Sequence, residues 1–176
     1  MRAMISFVLV TLFSVGMSAS AAEPADAVLG KWLTDGGKSQ VEIYKGKADD
    51  GEEKYYGKLV WFKDPVYAED DPEAGKTVHD RKNPDPKRHD DPLLGLIMLR
   101  AFVHDSENGE WNSGTIYDPE VGKVYKCTIK IVDDPAANGG KKLDVHGYVG
   151  VPMFGRSTIW TRPGDEAPAS PPAESK

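Results

Sequence analysis

Near its start this chain carries Gly30-Lys31-Trp32, and near its end Trp160-Thr161-Arg162, with a run of short alternating segments between them. A Gly-x-Trp on a first strand and an aromatic-plus-Arg on a last one suit a sheet that curls until its two edges meet. An indole face and a guanidinium brought together in that way attract each other. The pattern therefore predicts a small closed barrel, whose functional volume is its own interior.

The segments between these bookends keep a period of two, and no stretch of helical period reaches three turns. Strand-like runs occupy Gly30-Thr34, Ser39-Lys45, Tyr55-Phe62, Leu96-Val103, Gly109-Tyr117, Lys123-Val132, Lys142-Val149 and Phe154-Arg162. Asp35-Gly36-Gly37, Asp118-Pro119-Glu120-Val121-Gly122, Asn138-Gly139-Gly140 and Gly150-Val151-Pro152 supply turn chemistry between them. About eight strands with short reversals read as an up-and-down antiparallel barrel or a sandwich. In Lys123-Val132 the residues Tyr125, Cys127, Ile129 and Ile131 share one face, and Lys126, Thr128 and Lys130 the other, so one face is dry and one wet. Ile97, Leu99, Ala101 and Val103 form a second apolar stripe, and Leu143, Val145 and Val149 a third. Cys127, in phase with apolar neighbours, reads as a buried structural thiol. As the single cysteine it has no intrachain partner.

Residues 64–92 break the pattern. This long loop is rich in Asp, Pro and charge, and a loop of such length in a compact domain is functional or disordered. It is expected to lie across a barrel mouth or wrap an edge, with a helical turn near Pro92-Leu93-Leu94. Its His79-Asp80, Asn83, Asp85 and His89-Asp90-Asp91 superficially resemble a calcium loop. They lack the required order and spacing of donors, so a solvated turn with Asp80 as a cap is expected, and no metal.

The two ends read differently from the domain at 23–162. Residues 1–22 combine Arg2, the apolar run Ile5 to Phe13 and the small-residue stretch Ala19-Ser20-Ala21-Ala22. That is the make-up of a cleaved export signal, and the run is short for a spanning helix. Residues 163–176 have the composition of a disordered tail. The formal charge is −6, and Arg2 is lost with the signal. Without a Lys/Arg cluster, neither nucleic acid nor an anionic membrane is an expected partner. A periplasmic or secreted location follows from the signal.

In order, these elements resemble the exported bacterial proteins grouped as domain-of-unknown-function family 2147. The matching stretches are Gly30-Lys31-Trp32, Val41-Glu42-Ile43-Tyr44, Gly57-Lys58-Leu59-Val60-Trp61, Asn83-Pro84-Asp85-Pro86 and Pro92-Leu93-Leu94-Gly95-Leu96. The most specific are Gly114-Thr115-Ile116-Tyr117-Asp118-Pro119 and Gly122-Lys123-Val124-Tyr125, followed by Gly147 to Pro152, Gly155-Arg156 and Trp160-Thr161-Arg162. The resemblance implies an all-β, lipocalin-like barrel of about eight antiparallel strands. It implies no particular activity. Members often carry a Cys pair flanking the hairpin after Val-Glu-Ile-Tyr; here Gly46 and Tyr56 stand near those places, so no disulfide staple is available.

Within such a barrel Trp32, Trp160 and Arg162 are expected to close one end, a structural role. Arg156 shares a strand face with Phe154, Thr158 and Trp160, so it points inward if Trp160 does. There it must meet a carboxylate or an anionic ligand, because a buried unpaired guanidinium is very costly. Arg100, in phase with Met98 and Phe102, raises the same question. Arg156 and Arg100, with Tyr44, Tyr125 and Tyr148, are the candidate ligand-binding groups of a mostly apolar cavity. The alternative for Arg156 is an exterior position or a pair with Glu42. No nucleophile elbow or phosphate-cradling glycine loop occurs, so no catalytic residue and no cofactor are expected. The resulting expectation is an exported barrel that binds a small apolar or amphipathic molecule. A ligand-free envelope interaction or assembly protein is the alternative, and an enzyme using the cavity as a chamber a further one.

Overall fold

The computed structural model describes residues 24–164. The expected export signal (1–22) and nearly all of the expected tail lie outside them. Eight antiparallel strands run in sequence order round a closed barrel: β1 Gly30–Leu33, β2 Ser39–Lys47, β3 Glu53–Phe62, β4 Ile97–Asp105, β5 Glu110–Asp118, β6 Lys123–Asp133, β7 Lys141–Tyr148 and β8 Gly155–Thr161. Every connection except β3–β4 is short. All mouth-side turns (β1–β2, β5–β6, β7–β8) fall at one end, and the β2–β3, β4–β5 and β6–β7 turns at the other.

The closed end is plugged by the chain just before β1. A single 3₁₀ turn, Ala25–Val28, lies across it, with Val28 buried against the core. Two indoles hold it there: Trp32 Nε1–H donates to Val28 O at 2.7 Å, and Trp111 Nε1–H to Ala25 O at 3.1 Å. Tyr55 donates its hydroxyl to Asp26 at 3.0 Å, and Lys45 pairs with the same carboxylate at 2.7 Å. The Lys45 ammonium first, then the Tyr55 hydroxyl, hold Asp26 below its ordinary pKa.

The seam between β1 and β8 is thin, with one ladder position, Leu33 opposite Thr161. Arg162 reinforces it. Its guanidinium carbon lies 3.7 Å from the centroid of the Trp32 ring, and its N–H groups donate to Ala27 O at 3.0 Å and to Leu29 O at 2.9 Å. One residue therefore ties the last strand to both the first strand and the plug.

Behind the plug the barrel is solid. Trp32, Val41, Ile43, Leu99, Phe102, Trp111, Cys127, Ile129 and Leu143 fill it, each 3 % exposed or less. Two inward glycines make room: a Cβ on Gly114 would meet the Phe102 ring at 2.4 Å, and one on Gly57 would meet Leu99 at 2.7 Å. Cys127 belongs to this core, and burial, with Asp144 adding to it, pushes its thiol up to about 12.

Strand β4 departs from the expected alternation. Between Tyr55 opposite Phe102 and Gly57 opposite Leu99, β4 advances three residues against two on β3, and it is bulged again at Met98. Ala101 adopts a left-handed φ of 61° to allow this. A bulge re-aims side chains. Met98, Leu99 and Phe102 are buried, whereas Arg100 is exposed and Val103 is 43 % exposed. The predicted stripe Ile97, Leu99, Ala101, Val103 is thus corrected, as is the inward placement of Arg100. Strand β5 is bulged opposite, at Ser113 (φ 61°), against β6. The two bulges advance together, so β4 and β5 stay in register with each other. The third stripe is corrected at its end, since Leu143 and Val145 are buried but Val149 is 68 % exposed.

The long β3–β4 connection is an ordered strap. Most of its residues are exposed, as expected of a loop, and its ends at Lys63, Asp64 and Leu93 line the cavity at the mouth. Bridges Val66 to Thr77 and His79 to Pro92 fold it back on itself. Arg81 makes a bidentate pair with Asp71 at 2.9 Å and lies 4.2 Å over the Tyr67 ring. Its one 3₁₀ turn is Pro86–Arg88, started by Pro86 and capped by Asp85, not the turn expected near Pro92-Leu93-Leu94. Asp80 is the strap's anchor. It is fully buried and accepts from Tyr117 of β5 at 2.7 Å and from Asn83 at 2.7 Å. Burial and the Asp80 bond push the Tyr117 phenol up to about 12. At Gly122 (φ 67°) a Cβ would sit 1.9 Å from Lys82 O, so only glycine lets the strap lie against the β5–β6 turn.

These contacts set three expectations. Arg162→Ala should cost on the order of 2–4 kcal/mol in chemical denaturation, from a lost cation–π contact and lost charged hydrogen bonds; a change below about 0.5 kcal/mol would show that the seam closes without it. Asp80→Ala leaves two buried donors unpaired and should cost on the order of 2–4 kcal/mol, with proteolytic cleavage appearing first in residues 64–92. Cys127 should resist alkylation in the native protein and react fully once denaturant is added, as a mass measurement of the modified chain will read.

Candidate functional site

Toward the open end the side-chain filling stops, because the strands there present smaller groups: Gly147 and Thr158 on β7 and β8, and Ser39 on β2. The result is a cavity of about 1130 Å³ open to the mouth. That is somewhat above the range of about 300–1,000 Å³ common for small-molecule sites. Its floor is apolar, made by Leu59, Met98, Val145 and Trp160, none more than 9 % exposed. Phe62, Leu93 and Ile116 continue the wall upward. The Trp160 indole N–H is engaged with Thr158 Oγ1 at 3.1 Å, so the floor presents the flat of the ring and no free donor.

Above this floor sit the polar groups. Arg156 and Tyr125 line the cavity on the inward phase of β8 and β6: Arg156 stands opposite Gly147, which stands opposite Cys127, two residues from Tyr125. A glycine opposite Arg156 leaves its side chain room to lean across the opening. Arg156 is exposed at the mouth, and among the described residues its guanidinium has no carboxylate or hydrogen-bond partner. Glu42, its alternative partner, pairs with Lys58 at 3.1 Å on the outer wall. The phenols of Tyr125 and Tyr148 likewise have no hydrogen-bond partner among the described residues. Tyr148 belongs to the outward phase, stacked 5.9 Å from His146, and reaches only the rim.

The remaining lining charges belong to turns and strand ends: Asp35 and Lys38 between β1 and β2, Lys63 and Asp64 after β3, Asp118 and Glu120 at the β5–β6 turn. Asp118 is committed to its own turn, accepting the Glu120 N–H at 2.9 Å.

Two predicted ligand-binding residues are elsewhere. Tyr44 stacks on Tyr56 with centroids 6.0 Å apart, beneath Lys58 at 5.2 Å, and is not part of the cavity wall. It lies between Ile43, which is inward, and Lys45, which reaches Asp26, so alternation puts it outside. Arg100 is displaced by the β4 bulge described above. Trp32 and Arg162 meet at the closed end, but Trp160 does not join them; it is the cavity floor. Sequence reasoning missed Leu59, Met98 and Val145. The phase of Tyr55, Gly57 and Leu59 carried the signal for the first, whereas Met98 is inward only because of a bulge. Among the described residues no group of three His, Cys, Asp or Glu side chains is placed to hold a metal ion.

The eight-stranded closed barrel has a counterpart among solved structures. Protein HP1028 from the human pathogen Helicobacter pylori, described as belonging to the lipocalin family, superposes with a TM-score of 0.57 at 20 % identity, covering 78 % of this chain and 84 % of that one. The likeness establishes a shared lipocalin-type fold. No curated protein sequence matches the chain. The family pattern described as an uncharacterized protein conserved in bacteria, DUF2147, matches residues 30–162, which run from the glycine that opens β1 to the arginine that seals it. The chain belongs to that family.

Proposed function

We propose that this chain is an exported carrier that binds a small amphipathic molecule in the open half of its barrel and does not transform it. The observation that carries this reading is the division of the interior. One half is packed solid, while the other is left empty over an apolar floor, with Arg156 and Tyr125 unpaired above it. A guanidinium donates only, and a phenol can donate, so the polar end of the site is rich in donors and suits an acceptor head group such as a carboxylate. The apolar tail would lie on Leu59, Met98, Val145 and Trp160. Lipocalin-type folds commonly hold small apolar molecules, a fold-level analogy that agrees with this reading. The apolar run and small-residue stretch in residues 1–22 support export to the periplasm or beyond.

Native mass spectrometry of the purified protein, followed by titration with a fluorescent fatty-acid probe, tests the proposal. A reproducible bound amphiphile and saturable probe binding are expected. Val145→Trp, which fills the floor, should abolish binding. Arg156→Gln should weaken the carboxylate probe by about tenfold or more while leaving the melting temperature unchanged, because the guanidinium supports nothing else. A clean ligand-free spectrum together with no probe binding would sink the carrier reading, and unchanged affinity in Arg156→Gln would remove the anchor.

A further inference from the structure

Eleven large apolar side chains are exposed among the described residues, and six of them stand together at the mouth. Val121 and Val124 belong to the β5–β6 turn and the start of β6. Val149, Val151, Met153 and Phe154 form the β7–β8 turn, with exposures of 68, 53, 85 and 75 %. Strands β6 and β7 are neighbours, with Lys126 opposite Tyr148, so the two turns stand side by side. From Val149 to Gly155 the chain carries no polar side chain at all. The turn is also held in place. His146 Nε2–H donates to Pro152 O at 2.8 Å, which leaves Nδ1 to accept the Ser157 hydroxyl at 3.0 Å. That latch keeps Met153 and Phe154 outside; they do not fold back into the cavity they border.

Such a patch on a chain of net negative charge calls for an occupant. We infer that these two turns form a collar that seats the barrel mouth on the surface of a lipid bilayer. Three features select a bilayer over a protein partner. The collar is made of turn tips whose side chains are mostly free of protein contact, whereas an apolar site for a protein is expected to bring pockets and directional polar groups. Its flanks carry Lys123, Lys126 and Arg156, all exposed and without an ion pair among the described residues, at the level where lipid phosphates would lie. Finally, Phe154 both projects outward and lines the cavity, so a seated collar opens the cavity directly onto the lipid. The carboxylates of Asp118 and Glu120 share this rim and keep its charge nearly balanced. Affinity therefore comes mainly from inserted apolar side chains, and the cations add a preference for anionic lipid. The attachment is peripheral, since among the described residues no helix is long and apolar enough to cross a membrane. It runs against the expectation, drawn from overall charge, that a membrane surface is not a partner, and it stands whether or not the cavity carries cargo.

Flotation with phosphatidylcholine vesicles and with mixed phosphatidylcholine–phosphatidylglycerol vesicles tests the collar. Residues 23–176, which contain the whole barrel, are used so that the apolar run Ile5 to Phe13 does not itself insert. The protein should float with both, more with the mixed vesicles. Met153→Ser with Phe154→Ser should lower the bound fraction at both compositions by about tenfold or more. These side chains are exposed, so the melting temperature should not move. Lys123→Gln with Lys126→Gln should remove only the excess binding to the mixed vesicles. No flotation of the parent protein, or equal flotation of the serine variant, overturns the inference. So does a dimer, seen by light scattering, that the serine variant dissociates while vesicles bind neither form.

Discussion

The barrel exists because two edges meet, and the meeting depends on Arg162. Strands β1 and β8 share one ladder position, fewer than any other neighbouring pair, so backbone pairing alone is a weak seal. A guanidinium can supply what the ladder lacks, because it offers several donors in a plane whose face also stacks on an aromatic ring. Arg162 uses both properties at once, on Trp32 and on the carbonyls of Ala27 in the plug, of Leu29, and of Lys31 in β1. Among the described residues no carboxylate compensates its charge. The cost of partial burial, which lowers its pKa, is offset by the ring face and the carbonyl dipoles. Once the edges are joined, the interior has an inside at all, and every later property follows from how that inside is divided.

The division follows from side-chain volume read against strand position. Near the plug, four large rings (Trp32, Tyr55, Phe102 and Trp111) converge where Gly57 and Gly114 give up their own space. Near the mouth the inward positions of β7 and β8 include Gly147 and Thr158, and the space beside them is left open. Filling is therefore a local matter of which residue types face inward at each level, and one barrel can be a packed core at one end and a vessel at the other. The strap belongs to the second end. By fixing the buried Asp80 on Tyr117 and lying against Gly122, it stiffens the rim on the β5–β6 side.

Much of this was legible in the residues. Strict alternation marked β6 as a one-sided strand, turn glycines marked the reversals, and the two bookends pointed to closure. Inward placement of Arg156 followed from its phase with Trp160. What the sequence could not show was where phase breaks. A bulge costs one residue and leaves no compositional mark when the residue is Ala101 or Ser113, yet it sent Arg100 outside and drew Met98 in. Tyr44 failed for a different reason: an aromatic on a strand can cover either wall, and only the flanking Ile43 and Lys45 say which. The acidic and proline-rich composition of the strap marks it as an exposed loop, which it is, but gives no sign of its order. Its order comes from a handful of specific bonds, Asp80 to Tyr117 above all, that span 37 residues of sequence and have no local signal.

The two ends also differ in what their polar groups are left free to do. At the plug, Trp32, Trp111, Tyr55 and Arg162 all find acceptors within the chain, and the one buried polar atom beside them without a partner among the described residues is His104 Nε2 against Trp111. At the mouth, among the described residues, Arg156, Tyr125 and Tyr148 keep donors with no internal acceptor, and beside them Met153 and Phe154 keep apolar surface with no internal cover. Unpaired donors over an apolar floor and uncovered apolar tips around it are two halves of one chemical complement. A molecule with an acceptor head and an apolar body answers the first, and a sheet of such molecules answers the second. The same class of partner thus accounts for the cavity and its collar, which neither a filled barrel nor a solvent-facing rim would require.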